Sequence, residues 1–424
     1  MKRLFLLVFG LVVGFGSLSA QLRDTFTVSC GPQFANDVYW SSATSDSGTV
    51  VPRTTWDLAF SINQTSGIRA NHSAGVEVYK TDLTVADWST LDTTGNLSSW
   101  SRAYNRTDDY LFGALNYGAD FAANNVGWGE YDFITHVVSG DTLWVIKDRD
   151  DNWHQLVVEK RQSGQYFLRW GDLGGSNEKR DTLQALGLAT PQLFLYLSLD
   201  TANGGFLREP SRDDWHFQFT YYAQEFNFGP GQPPVYYPSG GVMINPQLSV
   251  AEIRNMPFDE VTKDDGNFVD PTPYDIIGAD WKRFDLNNSV YVYEDSLSFV
   301  VQYPNGAVAK YTFIEYGGSS TGEFTFVEET LVTVSAEEGT EQANWANVYP
   351  NPASDHVLIT VDPSQGSEVN VSLRSISGQS VLNRRVATQG FSAYRLELPQ
   401  LSPGVYFLEL TAGSDRSFQR LVIR

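Results

Sequence analysis

Reactive side chains are sparse in this chain of 424 residues, which carries five histidines, three methionines and one cysteine. Its most conspicuous chemistry is acidic: the doublets Asp150-Asp151, Asp213-Asp214 and Asp264-Asp265 offer paired carboxylates. Each doublet lies among turn-forming residues, where a carboxylate is simply solvated. Adjacent residues on a strand point to opposite faces, the wrong geometry for an acid and a base acting on one bond. No His-Glu-x-x-His zinc helix is present. Cys30 stands alone, so it can form no internal disulfide, supplies no cysteine pair for a metal, and has no histidine near it in sequence to activate it. Asp148, Asp150 and Asp151 are hard oxygen donors suited to calcium, but without EF-hand spacing. The expectation is a protein that is not an enzyme.

The remaining donors are His72, His136, His154, His216, Met243 and Met256. His154 and His216 flank Trp153 and Trp215 in alternating runs and belong on strand faces. His72 follows Asn71 in a turn, and Met243 has core spacing on a strand. His136 lies within the segment around which the chain is organised, just before its strand hairpin. Residues 127–170 contain three β-forming runs (143–147, 153–158 and 166–170) separated by Asp150-Asp151-Asn152 and Ser163-Gly164, which describes a three-stranded meander. Residues 278–328 repeat the pattern with runs at 297–303, 308–314 and 324–328, broken by Pro304-Asn305-Gly306. Trp56/Trp215, Gly75/Gly241 and Leu143/Leu297 recur in the same order at separations of 159, 166 and 154 residues, which points to internal duplication. The polar break at 172–180 is taken as the junction. The second copy has Asn287-Asn288-Ser289 where the first has His136, so a ligand donated there is lost in the second. Residues 80–126 read as irregular, with a short helix near 84–88.

Charge and flanking segments frame these copies. A net charge of −21 makes nucleic acid a poor partner. Met1-Lys2-Arg3, an apolar stretch at 4–15 and small residues up to Ala20 read as a secretory signal peptide, and no later run reaches transmembrane length. Residues 334–346 are polar, acidic and aperiodic, as expected of a linker. Beyond them, alternating runs at 357–361, 369–376, 394–398, 405–410 and 418–423 predict a small antiparallel β-sandwich.

This last segment carries Tyr349-Pro350-Asn351-Pro352, the Gly378 turn and Leu401-Ser402-Pro403-Gly404-Val405-Tyr406-Phe407, and it closely resembles the type A C-terminal sorting domain of the type IX secretion system found in Bacteroidota. The resemblance implies the type IX machinery as a partner. It further implies a destination that is extracellular or on the outer-membrane surface, usually with removal of the tail. The body resembles the HmuY family of haem-binding proteins, through Trp56-Asp57-Leu58-Ala59-Phe60 with Ile68-Arg69-Ala70-Asn71, through Trp128, Tyr131 and His136, and through Asn305-Gly306-Ala307-Val308-Ala309-Lys310 with Tyr316. That resemblance implies haem, or a haemoprotein, as partner, with His136 and His72 as candidate axial ligands. The architecture expected is mainly β: a signal peptide (1–20), two tandem antiparallel HmuY-like domains (21–175 and 176–333), the linker, and the sorting domain (347–424). The expected function is haem capture, an adhesion or glycan- and protein-binding surface protein being the alternative and a hydrolase with a hidden site the third reading.

Overall fold

The computed structural model describes residues 23–44, 47–62, 66–92, 97–185, 191–201, 204–226, 229, 231–232, 234–332, 346–349, 353–361, 368–375, 380–387, 392–412 and 415–423. The signal peptide, all of the linker but Ala346, and Pro350, Asn351, Pro352 and Gly378 of the sorting motif lie outside them. The chain divides into two compact units, Met1–Val334 and Ser335–Arg424. Both are β-built.

The first stretch of the body contains β1 (Arg23–Ser29), β2 (Asn36–Trp40), β3 (Thr49–Pro52), β4 (Leu58–Ser61), β5 (Ile68–Ala70), β6 (Glu77–Thr84) and β7 (Ser101–Ala103). A hairpin, β8 (Glu130–Asp132) with β9 (Val137–Ser139), leads into the first meander: β10 (Thr142–Lys147), β11 (Trp153–Gln162) and β12 (Gln165–Asp172). Then come β13 (Lys179–Gln184), β14 (Phe194–Leu197), β15 (Phe217–Phe226), β16 (Val235–Ile244) and β17 (Ser249–Arg254). A second hairpin, β18 (Lys282–Asp285) with β19 (Val290–Tyr293), precedes the second meander: β20 (Leu297–Gln302), β21 (Val308–Tyr316) and β22 (Glu323–Val332). A single helical turn, α1 (Gly318–Thr321), joins β21 to β22.

Two sheets repeat. The order β13-β12-β11-β10-β6 in one is matched by β1-β22-β21-β20-β17 in the other, and β14-β4-β5 is matched by β2-β15-β16. The two strand orders correspond, down to single hydrogen bonds. Asn71 donates to the carbonyls of Arg53 and Trp56 (2.9 and 3.0 Å), as Asn245 donates to those of Arg212 and Trp215. The equivalence of Asn71 and Asn245 makes Gly67 the counterpart of Gly241. The match of Gly75 with Gly241 drawn from sequence is corrected accordingly: Gly75 instead ends a 3-10 turn, with φ 96°. Both meander turns close alike, with Asp151 (φ 66°) and Gly306 (φ 89°) in the left-handed region and Asp148 and Tyr303 accepting the same backbone hydrogen bond.

Strand pairing crosses the boundary expected at 175/176. By sequence order β1 and β2 open the first copy and β13 and β14 open the second, yet each pair is built into the other copy. Residues 23–29 pair with the last strand of the body, Phe26 opposite Phe326, and Trp40 lies opposite Phe217. The cores follow the same exchange. Val28, Phe34, Val38 and Trp40 pack with Phe217, Phe299, Tyr311 and Phe326, whereas Leu183, Leu195 and Leu197 pack with Leu58, Trp144, Leu156 and Tyr166. Trp40 alone stacks on Phe217 and meets Phe326 edge-on at 5.0 Å. Truncating such a side chain costs about 3–5 kcal/mol, so each copy depends on strands carried by the other.

The region read as irregular covers the outer face of the first meander. Trp88 and Leu91 pack on Tyr79, Leu143, Val145 and Val157, and Gln155 Nε2 donates to the Trp88 carbonyl at 2.7 Å. A 3-10 turn does form there, Val85–Asp87, with Thr84 and Asp87 capping each other.

The second unit comprises β23 (Ala346–Tyr349), β24 (His356–Val361), β25 (Glu368–Ser375), β26 (Ser380–Ala387), β27 (Ser392–Glu397), β28 (Gly404–Ala412) and β29 (Asp415–Ile423). Sheets β23-β24-β27 and β26-β25-β28-β29 enclose one core of Val357, Ile359, Val371, Leu373, Leu408 and Leu410. This is the small sandwich expected, with β23 and β26 as added strands.

Candidate functional site

His136 closes the β8–β9 hairpin. Asp132 Oδ1 accepts the N–H of Ile134 at 2.7 Å, and the His136 N–H donates back to the Asp132 carbonyl at 2.8 Å. This geometry puts His136 at φ 57°, with its ring exposed and its Nδ1 2.7 Å from the Tyr131 hydroxyl. In the second copy Asp285 organises the β18–β19 turn the same way, and Ser289, at φ 54°, stands where His136 does. The imidazole is thus an addition to a turn that forms without it. Beside it lies a cleft of about 610 Å³, lined by Phe121, Val126, Tyr131, His136, Val138 and Arg161 among others. That size is in the range of small-molecule sites.

His72 sits elsewhere. It opens the 3-10 turn after β5, its Nδ1 is 2.9 Å from the Val76 carbonyl, and its Nε2 accepts the Asn105 N–H at 3.3 Å. With both ring nitrogens engaged and burial pushing its pKa down to about 4, it is a neutral structural histidine. It lines a separate cavity of only about 90 Å³. The structure does not bring His72 and His136 together, and the two cannot ligate one iron.

The other candidates have structural roles. His154 is buried against Asp148 (Nε2 to Oδ2 2.7 Å), while Asp148 also accepts the N–H groups of Asp150 and Asn152. His216 Nδ1 accepts the Ser42 N–H at 3.1 Å, and burial pushes its pKa down to about 4. Met243 is core, and Met256 packs beside Ile253, Val261 and Val300. Cys30 lies in the core of the second copy, where burial pushes its thiol up and leaves it inert. Among the described residues no group of three or more His, Cys, Asp or Glu is placed to hold a metal ion.

Two features escaped the sequence reading. The pattern Gly-x-Ser-x-Gly does occur, at Gly318-Ser319-Ser320-Thr321-Gly322. It forms the single turn α1, the Ser320 hydroxyl donates to the Gly317 carbonyl at 2.7 Å, and the chain continues into β22. A nucleophile elbow leads from a strand into a packed helix, so this is a hairpin turn. The second feature is the small cavity that His72 lines. It collects Arg53, Arg69 and Arg208 from positions far apart in sequence, and no motif announces it.

In the second unit Gly404 begins β28 opposite Ile423, and the Tyr406 hydroxyl donates to the Ser402 carbonyl at 3.0 Å, folding the Pro403-Gly404 turn onto the strand. A family model described as a secretion system C-terminal sorting domain matches residues 347–424. This segment is a type IX sorting domain. The sorting domain directs the chain to the type IX secretion machinery and to the cell surface or extracellular space. Among the described residues no helix is long and apolar enough to cross a membrane. No curated protein matches the chain. A crystal structure of dimeric latent PorU from Porphyromonas gingivalis aligns with 84% of this chain and 31% of that one, at 9% identity and a TM-score of 0.16. The chain thus spans about a third of that protein's length, and a score so low supports no inference about fold or function.

Proposed function

We propose that the chain is an exported, non-enzymatic binding protein whose body captures a small ligand in the cleft beside the β8–β9 hairpin. The observation that carries this reading is the cleft itself: about 610 Å³, with Phe121, Val126 and Val138 as apolar wall and Tyr131, His136 and Arg161 as the polar groups that would orient a guest. Haem is the guest to test first. His136 would be its one axial donor, hydrogen-bonded to Tyr131, and Arg161 would face a propionate. In support of HmuY-like repeats, the stretches behind that resemblance fall on elements that have a counterpart in each copy: Trp56–Asn71 on β4 and β5, Trp128–His136 on the first hairpin, and Asn305–Lys310 on the β20–β21 turn. Titrating the full chain with haem should give a saturable Soret shift that His136→Ala abolishes. A spectrum that stays that of free haem, or a shift untouched in the variant, removes haem from the cleft.

A second reading is favoured by exposed apolar tips on the equivalent hairpins. Phe133 and Ile134 are 66% and 90% exposed in the first, and Leu286 is 84% exposed in the second. Such tips suit an adhesive contact surface. Loss of surface adhesion in a Phe133→Ser, Ile134→Ser, Leu286→Ser variant that keeps its melting temperature would favour it.

A further inference from the structure

We propose that the small cavity between the two copies is a binding site for a small carboxylate, held by Arg53 and Arg69. The cavity lies where the short sheets of the copies face each other, with Trp56, Ala59, Phe194 and Tyr196 on one side and Gln218, Tyr222, Met243 and Tyr274 on the other. Three guanidinium groups and a single carboxylate, Asp37, line it in a chain whose net charge is −21. Only Arg208 has a carboxylate, Asp37, in ion-pair contact. Arg53 is 8% exposed and donates to the carbonyls of Phe34 and Ser73, with its guanidinium over the Tyr221 ring. Arg69 donates to the carbonyls of Asp109, Phe112 and Arg106 and lies over the Tyr274 ring. Carbonyl dipoles and ring faces position these two cations, and the carboxylates that act on them, Asp37 on Arg53 and Asp109 and Asp275 on Arg69, form no ion pair with them. A buried charge left without a counter-ion is costly, and burial accordingly pushes both guanidinium groups down from their ordinary values.

The wall also holds donors with nothing to donate to. The Trp56 indole nitrogen and the Tyr222 hydroxyl are both buried and have no hydrogen-bond partner. A buried polar atom left unpaired is expensive and calls for an occupant. Two guanidinium groups without an ion pair, an indole N–H and a phenol together ask for a guest that is anionic and accepts hydrogen bonds without needing to donate. A carboxylate meets that description and matches a guanidinium in plane and spacing. About 90 Å³ admits a carboxylate the size of acetate but is well below the volume of a drug-sized site. The site is separate from the His136 cleft, so either can fail without the other.

The test uses the full chain, titrated with sodium acetate against sodium chloride at equal ionic strength, with sodium phosphate as a third arm, read by melting temperature and calorimetry. Acetate should give a saturable stabilisation that chloride does not. Tyr222→Phe removes a buried hydroxyl with no partner in the free protein, so its melting temperature without acetate should equal or exceed the parent's while its acetate affinity falls about 3- to 10-fold. Arg69→Gln should abolish the acetate response. No acetate effect beyond chloride, a larger effect of phosphate, or unchanged acetate affinity in Tyr222→Phe would each overturn the assignment.

Discussion

Replacing Asn71 or Asn245 by alanine tests whether the two copies are one folding unit. Each asparagine is almost fully buried, 2% and 1% exposed, and donates two hydrogen bonds to main-chain carbonyls that lead into β4 or β15. Alanine removes two bonds worth about 0.5–1.5 kcal/mol each and leaves buried carbonyls unpaired. The expected loss is about 2–4 kcal/mol at either site. For a body of this size, each kcal/mol lowers the melting temperature by about 2 °C, so each variant should melt about 4–8 °C lower. Because β1 and β2 complete the second copy and β13 and β14 the first, neither copy can unfold while the other stays intact. Differential scanning calorimetry of the full chain should therefore show one body transition, moved by a similar amount in Asn71→Ala and in Asn245→Ala. Two body transitions, each moved by only one of the variants, would refute the exchange of strands as the source of cooperativity.

Glu209 supplies a pH test. Its buried carboxyl accepts the Phe194 N–H and the Tyr196 hydroxyl, both at 2.8 Å, and burial pushes its pKa up to about 7 from an ordinary 4.5. The folded state therefore keeps a proton that the unfolded chain releases, so the stabilisation is full below pH 4.5 and is lost as pH rises to about 7. Glu209→Gln should gain melting temperature relative to the parent across that window, and a pH-independent difference would contradict the assignment. Asp57 is completely buried and accepts the Leu199 N–H at 2.8 Å while pairing with Arg149. Asp57→Ala should cost about 2–4 kcal/mol in urea denaturation, because it leaves the buried Leu199 and Arg149 N–H groups without their acceptor, while the Arg149 guanidinium keeps Asp200. A chain truncated before residue 347 should remain in the periplasm of a type IX-competent host, as read by immunoblots of cell fractions; its appearance outside the cell would contradict a sorting role for the tail.

The meanders were legible because runs of β-formers broken by Asn, Gly and Asp set strand number and turn position locally, and β10–β12 and β20–β22 fall where those runs lie. The sorting domain was legible for a similar reason, its motifs being contiguous. What the sequence hid is non-local. A repeat pattern specifies which kind of strand flanks β12 or β22 but not which copy supplies it, since β1 and β13 are equivalent edges by construction. The arginine cavity was hidden because Arg53, Arg69, Tyr222 and Tyr274 meet only after the copies pack. His136 was found from its place before the hairpin, whereas its left-handed turn position, shared with Ser289, emerges only from the backbone.

The pairing of β1 with β22 also imposes a schedule. Arg23 bonds Glu329 across 306 residues of chain, so the first strand synthesised waits for the last strand of the body before its edge is covered. Contacts this distant in sequence form slowly and leave strand edges open in the meantime. The body therefore cannot mature segment by segment as it emerges; it closes in one step, after β22 has arrived and just as the residues leading to the sorting domain follow. A product cut short within the body would leave β1 without its partner strand and would carry no sorting domain.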